Sequence, residues 1–272
     1  MVNGYVPASL QEALEIRASE NVTPYAGGTD LMVKRRPDAQ YLFIGRLPEL
    51  RRIEEDENFV RIGAAVTFTE ALAHPRVPAL MKAAVSRIGA PAIRNAGTFG
   101  GNVGNASAKA DSVPVEAAAD AKLRLISLRG ERVVEIESFY HGHGTHDLGS
   151  DELIAEILLP RTGLDHWYYE KVGGRSALAI SRISFASVFD MREDRITKAA
   201  AAFGAVSDTV LRFRDLEAML IGRSVAEAKH LKPAYLRAYA ERLQLTDGRV
   251  SAQYRKGVCL KLLEDSLSTF GI

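Results

Sequence analysis

Ile93-Arg94-Asn95-Ala96-Gly97-Thr98-Phe99-Gly100-Gly101-Asn102 is the run on which the reading of the chain turns. It lies inside a longer stretch, 89–109, that is rich in glycine and small residues and follows no helical or strand period. A loop of about 20 residues is unusual within a compact domain and points to function. Glycine adopts positive φ without penalty and lets backbone approach a ligand closely. Here Gly97, Gly100 and Gly101 stand beside the hydroxyl of Thr98 and the amide of Asn102, a composition suited to a phosphate.

Upstream, Ala26-Gly27-Gly28-Thr29-Asp30 repeats that chemistry. Val22–Ala26 reads as a strand, and Asp30 is placed to cap a helix through Leu31-Met32-Val33-Lys34. A strand that ends in Gly-Gly-Thr-Asp and opens a helix presents free N–H groups and a positive dipole end. One Gly-Gly pair is ordinarily a tight turn. Two, each beside threonine and a polar side chain, leave the turn and phosphate readings both open; on opposite sides of a cleft they would hold a diphosphate. Neither matches G-x-G-x-x-G, and neither matches G-x-x-x-x-G-K-[ST], so the Rossmann and P-loop fingerprints are lacking.

Working outward, residues 1–50 read as a small β–α–β unit. Its helix opens at a capping box, Ser9-Leu10-Gln11-Glu12, and its second strand is Tyr41-Leu42-Phe43-Ile44. Residues 50–63 form a hairpin around a polar turn at Glu54–Asn58. Thr67-Phe68-Thr69-Glu70 is a second capping box, and Val77–Ile88 is helical. After the glycine stretch come a helix over Val113–Asp120 and a hairpin, Lys122–Leu128 with Arg132–Ile136. Pro160-Arg161-Thr162-Gly163 marks a boundary. Beyond it, strands Ile183–Met191 and Ile196–Val206 are followed by helices over Leu211–Leu220, Val225–Arg242 (broken near Pro233) and Gln253–Ser268. The fold class is α+β, with a sheet covered by helices at the C-terminal end.

Composition bounds the function. The 272 residues are 47% hydrophobic and 25% charged, ordinary for a globular chain. A net charge of +1 gives no electrostatic case for nucleic acid, and Lys34-Arg35-Arg36 and Arg51-Arg52 read as solvated faces. No apolar run approaches the roughly 18 residues of a membrane span, and the N-terminus lacks signal-peptide character, so cytoplasmic location is expected. The one cysteine, Cys259, reads as a core thiol; an iron–sulfur cluster needs about four ligands, so any such chemistry belongs on another chain. His141, His143 and His146 lie close together, but without cysteines or helical spacing they are not read as a metal site.

Taken together, Ala26–Asp30, Ile93–Asn102 and Ala110-Asp111-Ser112-Val113-Pro114 resemble the FAD subunits of the xanthine dehydrogenase and carbon monoxide dehydrogenase family of molybdenum hydroxylases. The resemblance runs on through Arg61–Thr67, Asp151-Glu152-Leu153-Ile154, Ala202–Val206 and Tyr254-Arg255-Lys256, and so covers nearly the whole chain in order. The sequence departs from the family's frequent Ala-Ser-Pro-x-Ser-Asp at Asn105–Asp111, and from its Pro-Thr-Pro-x-Arg at Ser207–Arg212.

The resemblance implies a two-part FAD-binding domain of the vanillyl-alcohol-oxidase (PCMH) type, 1–55 and 56–165, and a C-terminal α+β domain over 166–272. It implies FAD in this chain. The partners would be an iron–sulfur subunit with two [2Fe–2S] clusters and a molybdopterin subunit, in a heterotrimer or its dimer. Electrons would pass from molybdenum through iron–sulfur to FAD, and then to NAD or another acceptor. Tyr25, Ala26, Gly27, Gly28, Thr29 and Asp30 would wrap the diphosphate, and Gly97, Thr98, Gly100, Gly101 and Asn102 would form the second phosphate loop. Asp111 would bind a ribose or ribityl hydroxyl, or else cap the helix that follows. Ile88 and Ile154 would pack near the flavin, or be plain core residues. Lys171 would approach the isoalloxazine, or form a surface ion pair. In the same family, the flavin-free reading is a scaffold or assembly subunit; a stand-alone flavin oxidoreductase of the same fold is the other alternative. The reducing substrate's pocket is expected on the molybdenum subunit.

Overall fold

A computed structural model describes residues 3–33, 38–175, 177–245 and 250–272. The Lys34-Arg35-Arg36 run lies outside the described residues. The chain forms two compact units, each gathered from three stretches. Unit 1 is Met1–Val77, Ile88–Ser107 and Asp120–Leu159; unit 2 is Pro78–Arg87, Ala108–Ala119 and Pro160–Ile272.

Unit 1 opens with β1 (Asn3–Tyr5), α1 (Leu10–Ser19), β2 (Thr23–Tyr25) and β3 (Gln40–Phe43). The three strands form a parallel sheet in the order β1-β3-β2. Ser9 caps α1 by accepting from the Glu12 N–H at 3.2 Å, but Glu12 turns its carboxylate to the Ala8 N–H at 2.6 Å, so the expected capping box is half made. Ala13 and Leu14 of α1 pack with Leu42, Ile44, Leu47 and Leu50 in one core. The helix expected from Asp30 does not form in the described residues. Residues 29–33 are turns, closed by Met32 N–H to Gly28 O and Val33 N–H to Asp30 O at 3.0 Å each.

The second sheet of unit 1 contains β4 (Ile53–Glu55), β5 (Phe59–Gly63), β6 (Lys122–Ser127) and β7 (Gly130–Glu135). A short helix α7 (Ile136–Phe139) and a hairpin of β8 (Tyr140–Gly142) and β9 (Thr145–His146) lead to β10 (Leu153–Pro160). The strand order is β4-β5-β10-β6-β7. The register of β10 on β6 shifts between Ile154 and Glu156, a bulge that frees the Ala155 carbonyl to accept from Ala64 N–H at 2.8 Å. In α2 (Phe68–Ala73) the Thr67–Glu70 capping box is complete. His146 stacks on Phe139, and His141 Nε2 lies 3.7 Å from Asp147.

Unit 2 contributes α3 (Ala79–Ser86) and, from the stretch read as an unstructured loop, the remaining residues after Ser107; the loop itself holds α4 (Pro91–Arg94) and α5 (Phe99–Gly104) in unit 1. Next in unit 2 come α6 (Val113–Ala118) and an antiparallel sheet, β11 (His166–Val172), β12 (Ile183–Arg192), β13 (Arg195–Gly204) and β14 (Leu211–Arg212), in that order. Side chains alternate across a strand. Ile183, Phe185, Phe189, Ala199, Ala201 and Phe203 face a core built with Tyr235 and Tyr239 of α9 (Val225–Arg242) and Cys259, Leu262 and Leu263 of α10 (Ala252–Thr269). On the other face α6 packs on β12 and β13, and α3 on β11. Gly204 marks that contact: a Cβ there would lie 2.7 Å from Pro114 Cγ.

Two expected helices differ. In place of a helix over Leu211–Leu220 stand β14 and the short α8 (Arg214–Glu217), because Leu211 is drawn into pairing with Phe203. Arg212 there meets Glu217 at 2.8 Å in a pair whose side chains are each 4% exposed. The α9 helix runs through Pro233 without a break. An interior proline costs a helix about 3 kcal/mol, and burial of Ala228, Tyr235 and Tyr239 on either side of it offsets that loss. Among the described residues no helix is long and apolar enough to cross a membrane.

Candidate functional site

The two glycine loops meet in unit 1. A Cβ on Gly27 would run into the Ala96 carbonyl oxygen and lie 3.2 Å from Gly97 Cα, so the first loop rests on the turn that leads into the second. Only glycine permits that approach. Gly28 takes φ +67, and the Tyr25 ring covers it so closely that any Cβ would strike the phenol. Tyr25 is itself held between Tyr41 and Phe43, with ring centroids at 5.7 and 4.9 Å, and its carbonyl accepts from Ile44 N–H at 2.9 Å. Ala26 is fixed by Gly45, where a Cβ would lie 2.6 Å from its carbonyl oxygen.

The backbone donors of the two loops differ. In the second, Phe99 N–H donates to Val66 O (3.2 Å), Gly100 to Ala64 O (2.8 Å), Gly101 to Thr98 Oγ1 (3.2 Å) and Asn102 to Thr98 O (2.9 Å). The sequence reading of free N–H groups is therefore corrected for this loop. Its amides are spent on capping α5 and docking it against β5 and the chain that follows. Gly100 is small because a Cβ would stand 2.5 Å from Ala64 Cβ. Gly97 and Thr98 are buried, whereas Gly101 is exposed and Asn102 half-buried. In the first loop, among the described residues, the amides of Gly27, Gly28, Thr29 and Asp30 have no acceptor. They form four consecutive donors on a half-exposed turn with a left-handed glycine, the kind of concavity that binds anions.

The rest of the Ile93–Asn102 motif is scaffolding. Arg94 donates to the carbonyls of Ile88 (3.0 Å) and Gly89 (2.8 Å), and Asn95 Oδ1 accepts from Thr69 Oγ1 at 2.6 Å, tying α4 to the start of α2. Ile88 is half-buried. Ile154 is buried beside the β10 bulge, with Cδ1 3.5 Å from where a Gly104 Cβ would lie.

In unit 2 the structure joins two residues that the sequence treated separately. Lys171 Nζ contacts Asp111 Oδ2 at 2.6 Å, with side chains 7% and 8% exposed, and donates to Arg87 O at 2.9 Å. Ser181 Oγ donates to Asp111 Oδ1. Burial pushes the Asp111 carboxyl above its ordinary value, although Lys171, Ser181 and Arg87 all pull it down. The helix-cap alternative for Asp111 is not realised: Ser112 occupies the cap position of α6, without a side-chain cap bond. Lys171 is a buried pair, not a surface one. Ser181 and Arg87 were missed, since only folding brings them to Asp111. Tyr169, two positions before Lys171 on the same face of β11, is buried, and its phenol is pushed up by burial and by Asp111.

Two families match the chain, one over each part of its length. The FAD binding domain in molybdopterin dehydrogenase matches residues 1–162, and the CO dehydrogenase flavoprotein C-terminal domain matches 167–269. The chain belongs to this family of FAD-binding flavoproteins of the molybdopterin dehydrogenases. It is 34% identical over 235 residues to the nicotinate dehydrogenase FAD-subunit of Eubacterium barkeri, covering 80% of this chain and 79% of that one. It is 33% identical over 268 residues to the glyceraldehyde dehydrogenase medium chain of Sulfolobus acidocaldarius, covering 93% of each. Among solved structures, a carbon monoxide dehydrogenase from Hydrogenophaga pseudoflava superposes with TM-score 0.90 at 25% identity, over 98% of this chain and 96% of that one.

Proposed function

We propose that the Tyr25–Asp30 loop holds the diphosphate of FAD and that the chain is the electron-transfer flavin subunit of a molybdenum hydroxylase complex. The observation that carries this reading is the run of four unpartnered amides over Gly27–Asp30, beside a left-handed Gly28. The donor set fits a diphosphate: backbone N–H groups bind phosphate oxygens without needing a cation. Thr29 adds a hydroxyl. From the second loop, Gly101 and Asn102 supply the solvent-facing contacts, while Gly97, Thr98 and Gly100 hold the backbone in place. FAD, when bound, supplies electron exchange in steps of one or two.

The remaining assignments are proposals on the same footing. Each Asp111 oxygen accepts one hydrogen bond, from Lys171 or from Ser181, which leaves lone pairs for a cofactor hydroxyl. Lys171 has spent two of its three hydrogens, on Asp111 and Arg87, and keeps one for the flavin ring. Ile88 and Ile154 would flank the ring system. The subdomain division 1–55, 56–165 and 166–272, a cytoplasmic location, and a heterotrimer or its dimer with iron–sulfur and molybdopterin subunits complete the proposal. Electrons would enter from [2Fe–2S] clusters and leave to NAD or another acceptor. The names of the nicotinate and glyceraldehyde dehydrogenase relatives, an FAD-subunit and a medium chain, support this division of labour.

The purified chain is expected to be yellow, with about one FAD per polypeptide. Gly28→Val, which forces a side chain into Tyr25, is expected to abolish FAD retention, and Thr29→Val to weaken it. A chain shown to be folded by circular dichroism that neither copurifies with FAD nor rebinds it sinks the reading.

A further inference from the structure

Tyr169 and Lys171 leave β11 on the same face, since residues two apart in a strand share a side. Tyr168 between them points the other way, into the core under α9 and α10. Within unit 2, β11 is the edge strand of its sheet, and α3 packs along it. Tyr169 is 8% exposed, and among the described residues its hydroxyl has no hydrogen-bond partner. It lies close enough to Asp111, Arg87 and Glu170 to feel their charges. Asp111 accepts from Lys171 and Ser181, Glu170 pairs with Arg87 at 2.6 Å, and neither carboxylate accepts from the phenol. A buried phenol ordinarily finds an acceptor, because leaving it without one costs more than a made bond returns. Ser184 Oγ, opposite Lys171 on β12, is the other unpartnered hydroxyl on this face. It is pressed against β13, 2.5 Å from where a Gly204 Cβ would stand, whereas Tyr169 stands at the sheet edge beside the Asp111–Lys171 pair.

We propose that Tyr169 is a further cofactor-binding residue, whose hydroxyl is reserved as a donor to a carbonyl oxygen or nitrogen of the flavin ring. The inference rests on the flavin-subunit reading. In that reading the amides of Gly27–Asp30 meet the diphosphate, and Asp111, an acceptor, meets a hydroxyl. The part of FAD still without donors is the ring, whose oxygens and nitrogens accept hydrogen bonds and gain negative charge on reduction. Lys171 and Tyr169 are neighbouring donors on one strand face, and they differ in kind. The charge of Lys171 is balanced by Asp111 at 2.6 Å, whereas the phenol is neutral. Burial, with Asp111 nearby, keeps that phenol protonated across the physiological range. It therefore donates whether the flavin is oxidised or reduced, and it holds the more negative, reduced ring the more tightly.

The test compares the full chain with Tyr169→Phe, which removes one oxygen and keeps the ring, and with Tyr168→Phe, the same change on the opposite face of β11. FAD is titrated into the flavin-free chains and followed by its fluorescence. Thermal melting is recorded with and without FAD, and the midpoint potential of the bound flavin is measured. Tyr169→Phe is expected to weaken FAD binding roughly five- to tenfold, the worth of one hydrogen bond, and to lower the potential. Its melting temperature without FAD should equal or exceed the parent's, because no bond within the protein is lost. Tyr168→Phe is expected to bind FAD as the parent does. A Tyr169→Phe chain that melts below the parent without FAD yet binds FAD equally shows that the hydroxyl serves the fold, and overturns the proposal. Equal losses of affinity in the two variants overturn it as well. A parent that binds FAD, with binding and potential unchanged in Tyr169→Phe, overturns this inference alone; a folded parent that takes up no FAD overturns the flavin reading and this inference with it.

Discussion

Glu116 is fully enclosed within α6, and among the described residues no donor sits in hydrogen-bonding geometry on its carboxyl oxygens. Burial pushes that carboxyl from 4.5 up to about 7, and the Ser112 hydroxyl offsets only part of the effect. The folded state therefore holds a proton that the unfolded state releases near 4.5. Stability from this group is complete below that value and is lost as pH rises through about 7. Glu116→Gln cannot ionise, so its melting temperature is expected to gain on the parent's between pH 5 and pH 8, up to a ceiling of roughly 3 kcal/mol. Melting temperatures of the two proteins that change in parallel across that range would show that burial does not shift the carboxyl, which then titrates folded as it does unfolded. Asp111 and Lys171 behave differently, since each neutralises the other. Lys171→Met leaves a buried carboxylate alone and is expected to cost about 3–5 kcal/mol. The double variant Asp111→Asn with Lys171→Met should cost less than the two single losses added together. Additive losses in urea unfolding would mean the pair is not coupled.

At the scale of elements, small residues set how closely parts approach. Gly204 brings β13 against α6, and a Cβ there would lie 2.5 Å from Ser184 Oγ as well as against Pro114. Gly204→Ala is expected to lower the urea midpoint, at a cost of about 1–3 kcal/mol from overpacking; an unchanged midpoint would mean α6 shifts freely. The same logic explains what the sequence made legible. The β12 and β13 strands, the two long C-terminal helices and the Thr67–Glu70 box were readable because period and capping are local. The α5 helix was not, because Phe99–Gly104 is glycine-rich and without period; carbonyls at Ala64 and Val66 hold its first turn. Leu211 was read as helical because only its pairing with Phe203 makes it a strand. Pro233 misled in the opposite direction, since its surroundings outweigh its propensity. At the site, the glycine-rich turns of both loops were legible, but which loop keeps its donors was not. Nor was the bond between Asp111 and Lys171, which are 60 positions apart.

Across the whole molecule, each unit has its own core, yet neither is a continuous piece of chain. The sheet of unit 2 is covered on one face by α9 and α10, which follow it, and on the other by α3 and α6, which precede it. A fragment of residues 160–272 lacks α3 and α6, and so leaves the Pro114-facing side of β13 bare. It is expected to aggregate or to lack a cooperative thermal transition; a sharp transition in the isolated fragment would mean that face does not need its cover. The boundary at Pro160 that the sequence marks is thus where the chain passes from unit 1 to unit 2, although unit 2 also takes Pro78–Arg87 and Ala108–Ala119 from before it.

The interleaving also sets a timetable. On the ribosome α3 and α6 emerge long before the sheet they cover, and α6 is buried along its whole length in the finished protein. From the moment residue 119 leaves the exit tunnel until β13 arrives, that apolar helix has no native partner. Exposed apolar segments of this kind are what chaperones capture during synthesis. The nascent chain therefore carries part of unit 2 waiting in solvent from residue 119 until β13 is complete at Gly204, whereas the parallel sheet of unit 1 has all its strands by residue 43.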